Sequence, residues 1–569
     1  MNVLGLWDGH DSGAALLCDG RVVAAINEER LSRRKLEVAF PHRSIRACLD
    51  LARLDPAAVH VVAVSTSDIA KTLTRLVPQL KERYYLVRRR KAERGLISAA
   101  TVGAKQVLTT WPPVALSRWM SRLAVAAQLR AHGLDAARLD LHDHHAAHAY
   151  AAAYCSGFQE CAVLTLDGLG DGCSATTWRF VGGKLARLAA SHARHSLGVF
   201  FEHVTALLNM RELEDEGKVM ALADHASPVG DGTNPLLPFV SVRGDTLETS
   251  VPGRRMRRAL ARVQWHYPNE QFAYMAQRVV ESVVVDLARS AVRLTGCSNV
   301  ALAGGVASNI KASRRVRLLP EVSDVFVFPH MGDGGLALGA ALVSAVGARD
   351  LDRLPLGDLG LGPAFEPDVI EAALRAAGLP FRRPADLAGE VVHLLAEDGV
   401  VLWFQGRMEY GPRALGQRSV LARPDRPAVR DRLNLILKQR VWYQPFCPSL
   451  LESEGRRVCA DWKGTPDRNM TMAYLVAPEA RRFLCGVISM DGSIRPQFVA
   501  DDAPGPFAAV LRDAKRAWAI GAVLNTSLNI HGEPMVCSPA DAIDVFFRSG
   551  ADALAIGPYL VERGGGWRP

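Results

Sequence analysis

The chain has 569 residues, 49% of them hydrophobic, and a net charge of +9, enough for at least two cores. No apolar run reaches the length of a bilayer span and no basic-then-apolar pattern opens the N-terminus, so a cytoplasmic protein is expected. The ten cysteines form no CxxC pair, and Cys18, Cys161 and Cys485 stand in apolar sequence; reduced, buried thiols are expected, not a disulfide frame or a zinc cage.

Residues 3–6 read as a strand, 7–13 as a tight polar turn, 14–17 as a second strand, Asp19-Gly20 as a hairpin turn and 21–26 as a third strand. Strand, small-residue turn and strand can hold a phosphate on backbone amides, although an ordinary meander has the same pattern. Residues 27–30 and 32–35 read as a solvated charged turn. From 68 to 105, Lys71, Arg75, Lys81, Arg83, Arg88, Arg89, Arg90, Lys91, Arg94 and Lys105 stand against Asp68, Glu82 and Glu93. This basic segment, with Tyr84, Tyr85, Trp111 and Trp119, reads as an acceptor-binding lid, a contact to anionic membrane, or a solvated insertion. It lacks base-stacking aromatics on a defined fold, so no nucleic acid is expected.

His144 and His148 are four apart, which places both imidazoles on one helical face where they can share a metal ion. The pattern is not H-E-x-x-H and lacks the glutamate base of a metalloprotease; a polar loop is the plain alternative. Residues 162–166 form a buried-type strand running into Asp167-Gly168-Leu169-Gly170-Asp171-Gly172. An unpaired carboxylate at Asp167 would be costly, so a partner is expected. Asp11 and Asp167 read as matched positions of a duplicated strand-turn-strand. Gly217-Lys218 can place an ammonium near a phosphate, without the upstream glycine of a P-loop. Residues 277–295 read as an amphipathic helix. The strand 300–303 leads to Gly304-Gly305-Val306-Ala307-Ser308-Asn309, a turn that lets a ligand approach the backbone. The strand 325–328 leads to Asp333 and an Ala/Gly-rich helix over 336–345. Asp333 is the third acid at a strand's C-terminal end, where open α/β sheets bind ligands.

Residues 347–367 read as a linker, with Asp368 capping a helix that stops at Gly378. After a strand at 400–404, Arg407, Arg413 and Arg418 fall in a Gly/Pro-fixed loop. Guanidinium groups there suit a planar oxyanion. Lys438, Arg440, the turn 442–446, Arg495-Pro496-Gln497 and Asn525-Thr526-Ser527 extend the same polar set.

In chain order these motifs resemble the O-carbamoyltransferase family of antibiotic and nodulation-factor biosynthesis. The matching stretches are His10-Asp11, Glu28-Glu29-Arg30, His144-His145-x-x-His148-Ala149, Asp167-Gly168, Ser196-Leu197-Gly198, Gly217-Lys218-x-Met220, Gly304-Gly305-Val306-x-x-Asn309 and Asp333 with Gly339-Ala340-Ala341. The resemblance implies a duplicated actin-like ATPase (sugar kinase-like) domain over 1–350, with the basic insertion near 68–130, followed by a YrdC-like α/β domain over 351–569. The first domain looks like the universal tRNA threonylcarbamoyl transfer enzyme. By that likeness His144, His148, Asp167 and Asp333 would hold iron(II), for which zinc or manganese would also suit the donors. Gly168, Gly198, Gly305 and Asn309 would line the ATP site with Lys218. His10 would be general base or orienter at the acceptor hydroxyl, and Lys35 would lie near the transferred group. In the second domain Arg413, Lys438, Arg495, Asn525 and Ser527 would hold carbamoyl phosphate. The family usually has arginine where this chain has Gln444, which leaves weaker binding or compensation by Arg440 or Arg418. Cys447, in place of a small residue, reads as packing.

The function implied is ATP-dependent transfer of a carbamoyl group from carbamoyl phosphate, through carbamoyl adenylate, to a hydroxyl of a sugar, glycan or natural-product acceptor. The alternative is an RNA-binding component of tRNA modification. The acceptor and the choice between monomer and homodimer are not readable from sequence.

Overall fold

The computed structural model describes residues 1–93, 96–251, 253–348 and 353–563. Arg94 and part of the expected linker at 347–367 lie outside the described residues. The chain divides into two compact units, Met1–Glu28 with Leu36–Gly357, and Glu29–Lys35 with Asp358–Pro569.

The first unit contains two five-stranded sheets of one topology. In the first sheet β1 (Asn2–Trp7), β2 (Gly13–Cys18) and β3 (Arg21–Asn27) form an antiparallel meander. β4 (Val61–Ser65) and β5 (Arg138–His142) add to the other side of β1 in parallel, giving the order β3-β2-β1-β4-β5. In the second sheet β6 (Glu160–Gly170), β7 (Cys173–Val181) and β8 (Lys184–His192) repeat the meander. A separate hairpin, β9 (Val240–Arg243) and β10 (Thr246–Thr249), follows. β11 (Asn299–Ala303) and β12 (Asp324–Val327) then extend β6 in parallel, giving β12-β11-β6-β7-β8. Asp19-Gly20 and Gly182-Gly183 close the equivalent hairpins with positive φ at both positions, the geometry of a type I′ turn. Parallel neighbours need longer crossovers, and helices fill them. A three-strand meander with two parallel additions, used twice, is the duplicated actin-like fold.

The helix Leu336–Ala348 packs on the first sheet and on the helix His144–Cys155. A Cβ on Gly5 would lie 1.9 Å from Ala337 O, and one on Gly339 would lie 2.1 Å from Ala147 O. The small residues noted in the sequence therefore permit the close approach that carries Asp333, at the head of one helix, to the histidines on the other. The basic insertion between β4 and β5 folds into four helices, Ile69–Leu76, Pro78–Arg88, Leu96–Thr109 and Ala115–Leu129.

The second unit is an α/β unit on a seven-stranded mixed sheet. Its strands are β13 (Val401–Phe404), β14 (Arg418–Ala422), β15 (Cys447–Leu451), β18 (Gln497–Val499), β19 (Ala522–Ser527), β20 (Ala553–Ile556) and β21 (Tyr559–Glu562). A small pair, β16 (Tyr474–Leu475) and β17 (Ser493–Ile494), stands apart. Val391, Leu395, Val510 and Leu511 from two covering helices pack on Val401, Trp403, Leu421 and Val523. Each such side chain contributes about 1.5–3 kcal/mol by burial.

Three expectations need correction. The segment Glu29–Lys35 belongs to the second unit, not the first. Arg30 donates to Gly411 O at 2.8 Å, and Arg33 donates to Met535 O at 2.6 Å and Pro534 O at 3.1 Å, so it is no solvated turn. Asp368 is not a helix cap: the helix Pro367–Ala376 begins with proline at N1, which needs no capped N–H. Asp368 instead accepts from Val369 N. The ten cysteines are free thiols, but Cys485 is exposed and Cys18 half-buried.

Candidate functional site

The fold brings His144, His148, Asp167 and Asp333 together, with one ligand atom from each lying within 4.8 Å of the others. Asp143 caps the helix His144–Cys155 through Ala146 N, so the i, i+4 histidines project from its first turns. Asp167 lies where β6 leaves its ladder with β7, between Leu166 and Gly170. Its Oδ1 accepts from Gly305 N at 2.8 Å and its Oδ2 lies 3.2 Å from His144 Nε2. Asp333 Oδ1 is 3.7 Å from Nε2 of both His144 and His148. Thr66 Oγ1 bonds His144 Nδ1 at 3.0 Å, which fixes the ring with Nε2 facing the carboxylates. His148 Nε2 is buried without a hydrogen-bond partner, a cost that a bound cation would relieve. Two imidazoles and two carboxylates at this spacing fit a divalent transition metal.

Burial opposes charge on His144, but Asp333, Asp167 and Asp171 overcome it and raise the imidazole to about 9. Burial likewise opposes ionisation of Asp167, and His144 and His148 still pull it well below the usual carboxylate range. Asp333 is also lowered, by His10 and His144 against burial. Its second oxygen, Oδ2, lies 3.3 Å from His10 Nδ1. Burial, outweighing Asp333, holds His10 down to about 4, so His10 is a neutral imidazole able to accept a proton. Asp171, whose sequence role was only a turn, accepts from His144 N at 2.8 Å and from Ser67 N and Asp68 N at 3.2 Å. Neither Asp171 nor Thr66 announces this in sequence, since each acts by a hydrogen bond that has no spacing rule.

The expected ATP-site residues fall into two groups. Gly168, Gly198 and Gly305 gather at Asp167: a Cβ on Gly198 would lie 2.8 Å from Gly168 Cα and 2.9 Å from Asp167 O. Gly304, at φ +95°, has no room for a side chain, since a Cβ would lie 2.2 Å from Leu166 O. Asn309 is occupied structurally. It caps the helix Ile310–Arg317 and exchanges hydrogen bonds with the Gln277 amide at 3.0 and 2.9 Å. Lys218 forms an ion pair with Asp215 at 2.7 Å. Asp11 is held by Asn27 at 3.1 Å and lies 3.6 Å from His330; it stands outside the metal-type cluster.

The residue matching Asp167 is Asp8, not Asp11. Asp8 comes two residues after the last parallel pair Leu6↔Val64, as Asp167 follows Thr165↔Ala303. Asp8 is 2% exposed and bonds Lys71 at 2.9 Å and Arg75 at 2.9 and 3.0 Å, while Lys81 donates to its backbone carbonyl at 2.8 Å. Burial resists ionisation of Asp8, but Arg75 and Lys71 hold it well below the usual range. Arg88 pairs with Glu202 and Glu212, and Lys91 with Glu214. Much of the basic segment is thus no solvated insertion: Lys71, Arg75, Lys81, Arg88 and Arg89 turn inward onto Asp8, Glu202, Glu212 and Glu214, while Arg83, Arg90 and Lys91 stay exposed. It also sets the Tyr85 ring 5.4 Å from that of His10, with Lys105 Nζ 3.8 Å over Tyr84 and donating to Tyr85 OH at 3.3 Å.

In the second unit, Arg495 donates from Nε and a terminal nitrogen to Cys447 Sγ at 3.1 and 2.9 Å. Cys447 is the cross-strand neighbour of Asn525. Asn525 is 1% exposed; its amide nitrogen reaches Ala414 O and Ser449 Oγ, while Oδ1 is buried with no partner. Arg413 Nε is likewise buried and unpartnered, and burial with the nearby Arg495 cation pushes Arg413 down to about 9. Arg440 stacks 4.1 Å over Phe446 in the same electrostatic neighbourhood. Arg418 turns away, donating to carbonyls of Gln405, Gly406 and Gln417. It is Arg440 that remains near the position of Gln444, whose carbonyl it bonds at 3.3 Å. Lys438 gives its protons to Ser527 O, Asn529 O and Asn529 Oδ1. Ser527 Oγ also bonds Asn529 at 2.7 Å. Lys35 lies in this unit, where its charge helps to lower Lys438. Cys447 reads as packing in the sequence; its contact with Arg495 is invisible there because the two are 48 residues apart, Cys447 opening β15 and Arg495 lying between β17 and β18.

A duplicated actin-like unit with a buried His/Asp quartet is joined in one chain to an α/β unit that gathers Arg413, Arg440 and Arg495. The family model described as carbamoyltransferase N-terminus matches residues 2–237 and 251–342, and that described as carbamoyltransferase C-terminus matches 392–563. Nodulation protein NolNO of Sinorhizobium fredii is 31% identical over 97% of this chain and 79% of its own length. Nodulation protein NolO of Bradyrhizobium diazoefficiens is 32% identical over 74% of this chain and 79% of its own. An uncharacterized protein of Methanocaldococcus jannaschii, MJ1051, is 28% identical over 99% of both chains. The chain belongs to the carbamoyltransferase family and is an enzyme of carbamoyl transfer.

Proposed function

We propose that this enzyme moves a carbamoyl group from carbamoyl phosphate to an acceptor hydroxyl in an ATP-dependent sequence. In the second unit carbamoyl phosphate is hydrolysed to carbamate and phosphate. Carbamate oxygen then attacks the α-phosphorus of ATP, forming carbamoyl adenylate and releasing pyrophosphate. In the first unit the acceptor oxygen attacks the carbamoyl carbon, its proton passes to His10 Nε2, the nitrogen turned away from Asp333, and AMP leaves.

The observation that carries this reading is two buried, unpartnered atoms in one neighbourhood: Arg413 Nε, in the field of Arg495, and Asn525 Oδ1, on the cross-strand neighbour of the Cys447 that Arg495 bonds. Guanidinium groups suit the phosphate oxygens, and an amide oxygen without a donor suits the carbamoyl N–H. His144, His148, Asp167 and Asp333 would hold iron(II), zinc or manganese, which would supply Lewis-acid stabilisation of phosphate charge. The glycines at Asp167 leave backbone room for the nucleotide. The neutral state of His10 suits proton acceptance, and Tyr85 supplies an aromatic wall for a glycan or natural-product alcohol. The test is incubation with ATP, carbamoyl phosphate and a panel of acceptor alcohols, read by mass for one added carbamoyl group and by AMP formation. ADP formation, or turnover without carbamoyl phosphate, would overturn the reading.

A further inference from the structure

The insertion between β4 and β5 turns large apolar side chains outward. On the helix Ala115–Leu129, Ser117, Ser121, Val125 and Leu129 are buried. Thr72 Oγ1 bonds Ser121 Oγ at 2.8 Å, and Ser117 Oγ donates to Ser67 O at 2.7 Å. At about 100° per residue, Leu116, Trp119 and Leu123 fall on the opposite face, and they are 63%, 59% and 52% exposed. The face turned to the protein mixes two serines with Val125 and Leu129, while the large apolar side chains Leu116, Trp119 and Leu123 are turned to the outside. The adjoining helix Ile69–Leu76 also turns apolar side chains out, with Lys71, Thr72 and Arg75 buried and Leu73 and Leu76 exposed. Trp111, in the turn before Ala115, is 55% exposed.

Charge identifies what covers this face. From residue 94 to 134 the sequence contains no aspartate or glutamate, while Arg118, Arg122 and Arg130 are exposed on the same helical stretch. Large exposed apolar patches mark interaction surfaces. An apolar helical face with tryptophans and flanking arginines, and without acids, matches the interface of an anionic bilayer. No described helix is long and apolar enough to cross a membrane, so the helix would lie in the plane of the surface. We propose that the outer face of this insertion docks reversibly on anionic lipid bilayers.

The experiment uses the full chain and two kinds of vesicle, phosphatidylcholine alone and phosphatidylcholine with phosphatidylglycerol. Co-sedimentation is measured without ATP or carbamoyl phosphate, so the outcome is independent of the reaction proposed above. The expected result is binding to the phosphatidylglycerol vesicles, weakened by salt, with a blue shift of tryptophan emission. The triple replacement Leu116→Ser, Trp119→Ser, Leu123→Ser should lower vesicle partitioning at least tenfold while leaving transfer to a water-soluble acceptor unchanged. Should the triple variant not fold, Arg118→Glu alone should weaken binding to anionic vesicles about fivefold. Absence of vesicle binding by the native protein overturns the proposal, as does native binding by a folded variant. A concentration-dependent dimer that the triple replacement dissociates, with no vesicle binding, overturns it in favour of a second copy.

Discussion

The two halves of the first unit place an aspartate at the same topological position and treat it in opposite ways. Asp8, after β1, is enclosed by Lys71 and Arg75, with Lys81 on its carbonyl. Asp167, after the paired part of β6, faces His144 and a backbone amide. The geometry is inherited equally; the neighbours are not. The helices inserted after β4 bring fixed cations to one carboxylate and convert it into a structural anchor. Asp167 instead meets His144 and a backbone amide, neutralisable and neutral partners among which a mobile cation can bind.

The strongest way to break this comparison is Asp8→Ala. It strands buried cations without their counter-ion and should cost about 3–5 kcal/mol of stability, read from urea unfolding. A variant as stable as the native protein would show that the enclosed carboxylate anchors nothing. Asp167→Asn should lower carbamoyl transfer by about 10²–10³-fold and reduce the metal content found by elemental analysis of purified protein. Retained metal and rate would remove the contrast between the halves. The second unit extends the comparison to the other sign of charge, since Arg413 is buried there with its Nε unpartnered and a second cation, Arg495, beside it. Arg413→Met should raise KM for carbamoyl phosphate about 10–100-fold with kcat little changed, measured by phosphate release. The smallest effect is expected from Cys447→Ser, which leaves Arg495 an acceptor: a change in KM below about threefold. A larger loss would give the sulfur a role beyond orienting the guanidinium.

Much of this was legible before any coordinates. The i, i+4 histidines and the glycine-flanked acids at strand ends carry their own geometry, so the convergence of residues 144, 148, 167 and 333 could be read from spacing and resemblance together. The duplicated topology showed in the Asp19-Gly20 turn and the repeat of strand, turn and strand. Choosing Asp11 over Asp8 failed for a physical reason. Both acids lie in one turn, and which carboxylate turns inward depends on cations more than sixty residues away. Counting charges from 68 to 105 failed similarly, because the compensating acids, Glu202, Glu212 and Glu214, come from a distant part of the chain. Asn309 and Lys218 matched their motifs, yet Gln277 and Asp215 claim their polar atoms in the fold.

The short segment Glu29–Lys35 leaves the first unit, joins the second, and returns. Its arginines Arg30 and Arg33 donate to carbonyls at Gly411, Pro534 and Met535 of that second unit. Dividing the gene at residue 357 would therefore yield a C-terminal fragment missing a piece of its own interior. Splitting the enzyme into independently expressed halves would require grafting that heptapeptide onto the trailing half.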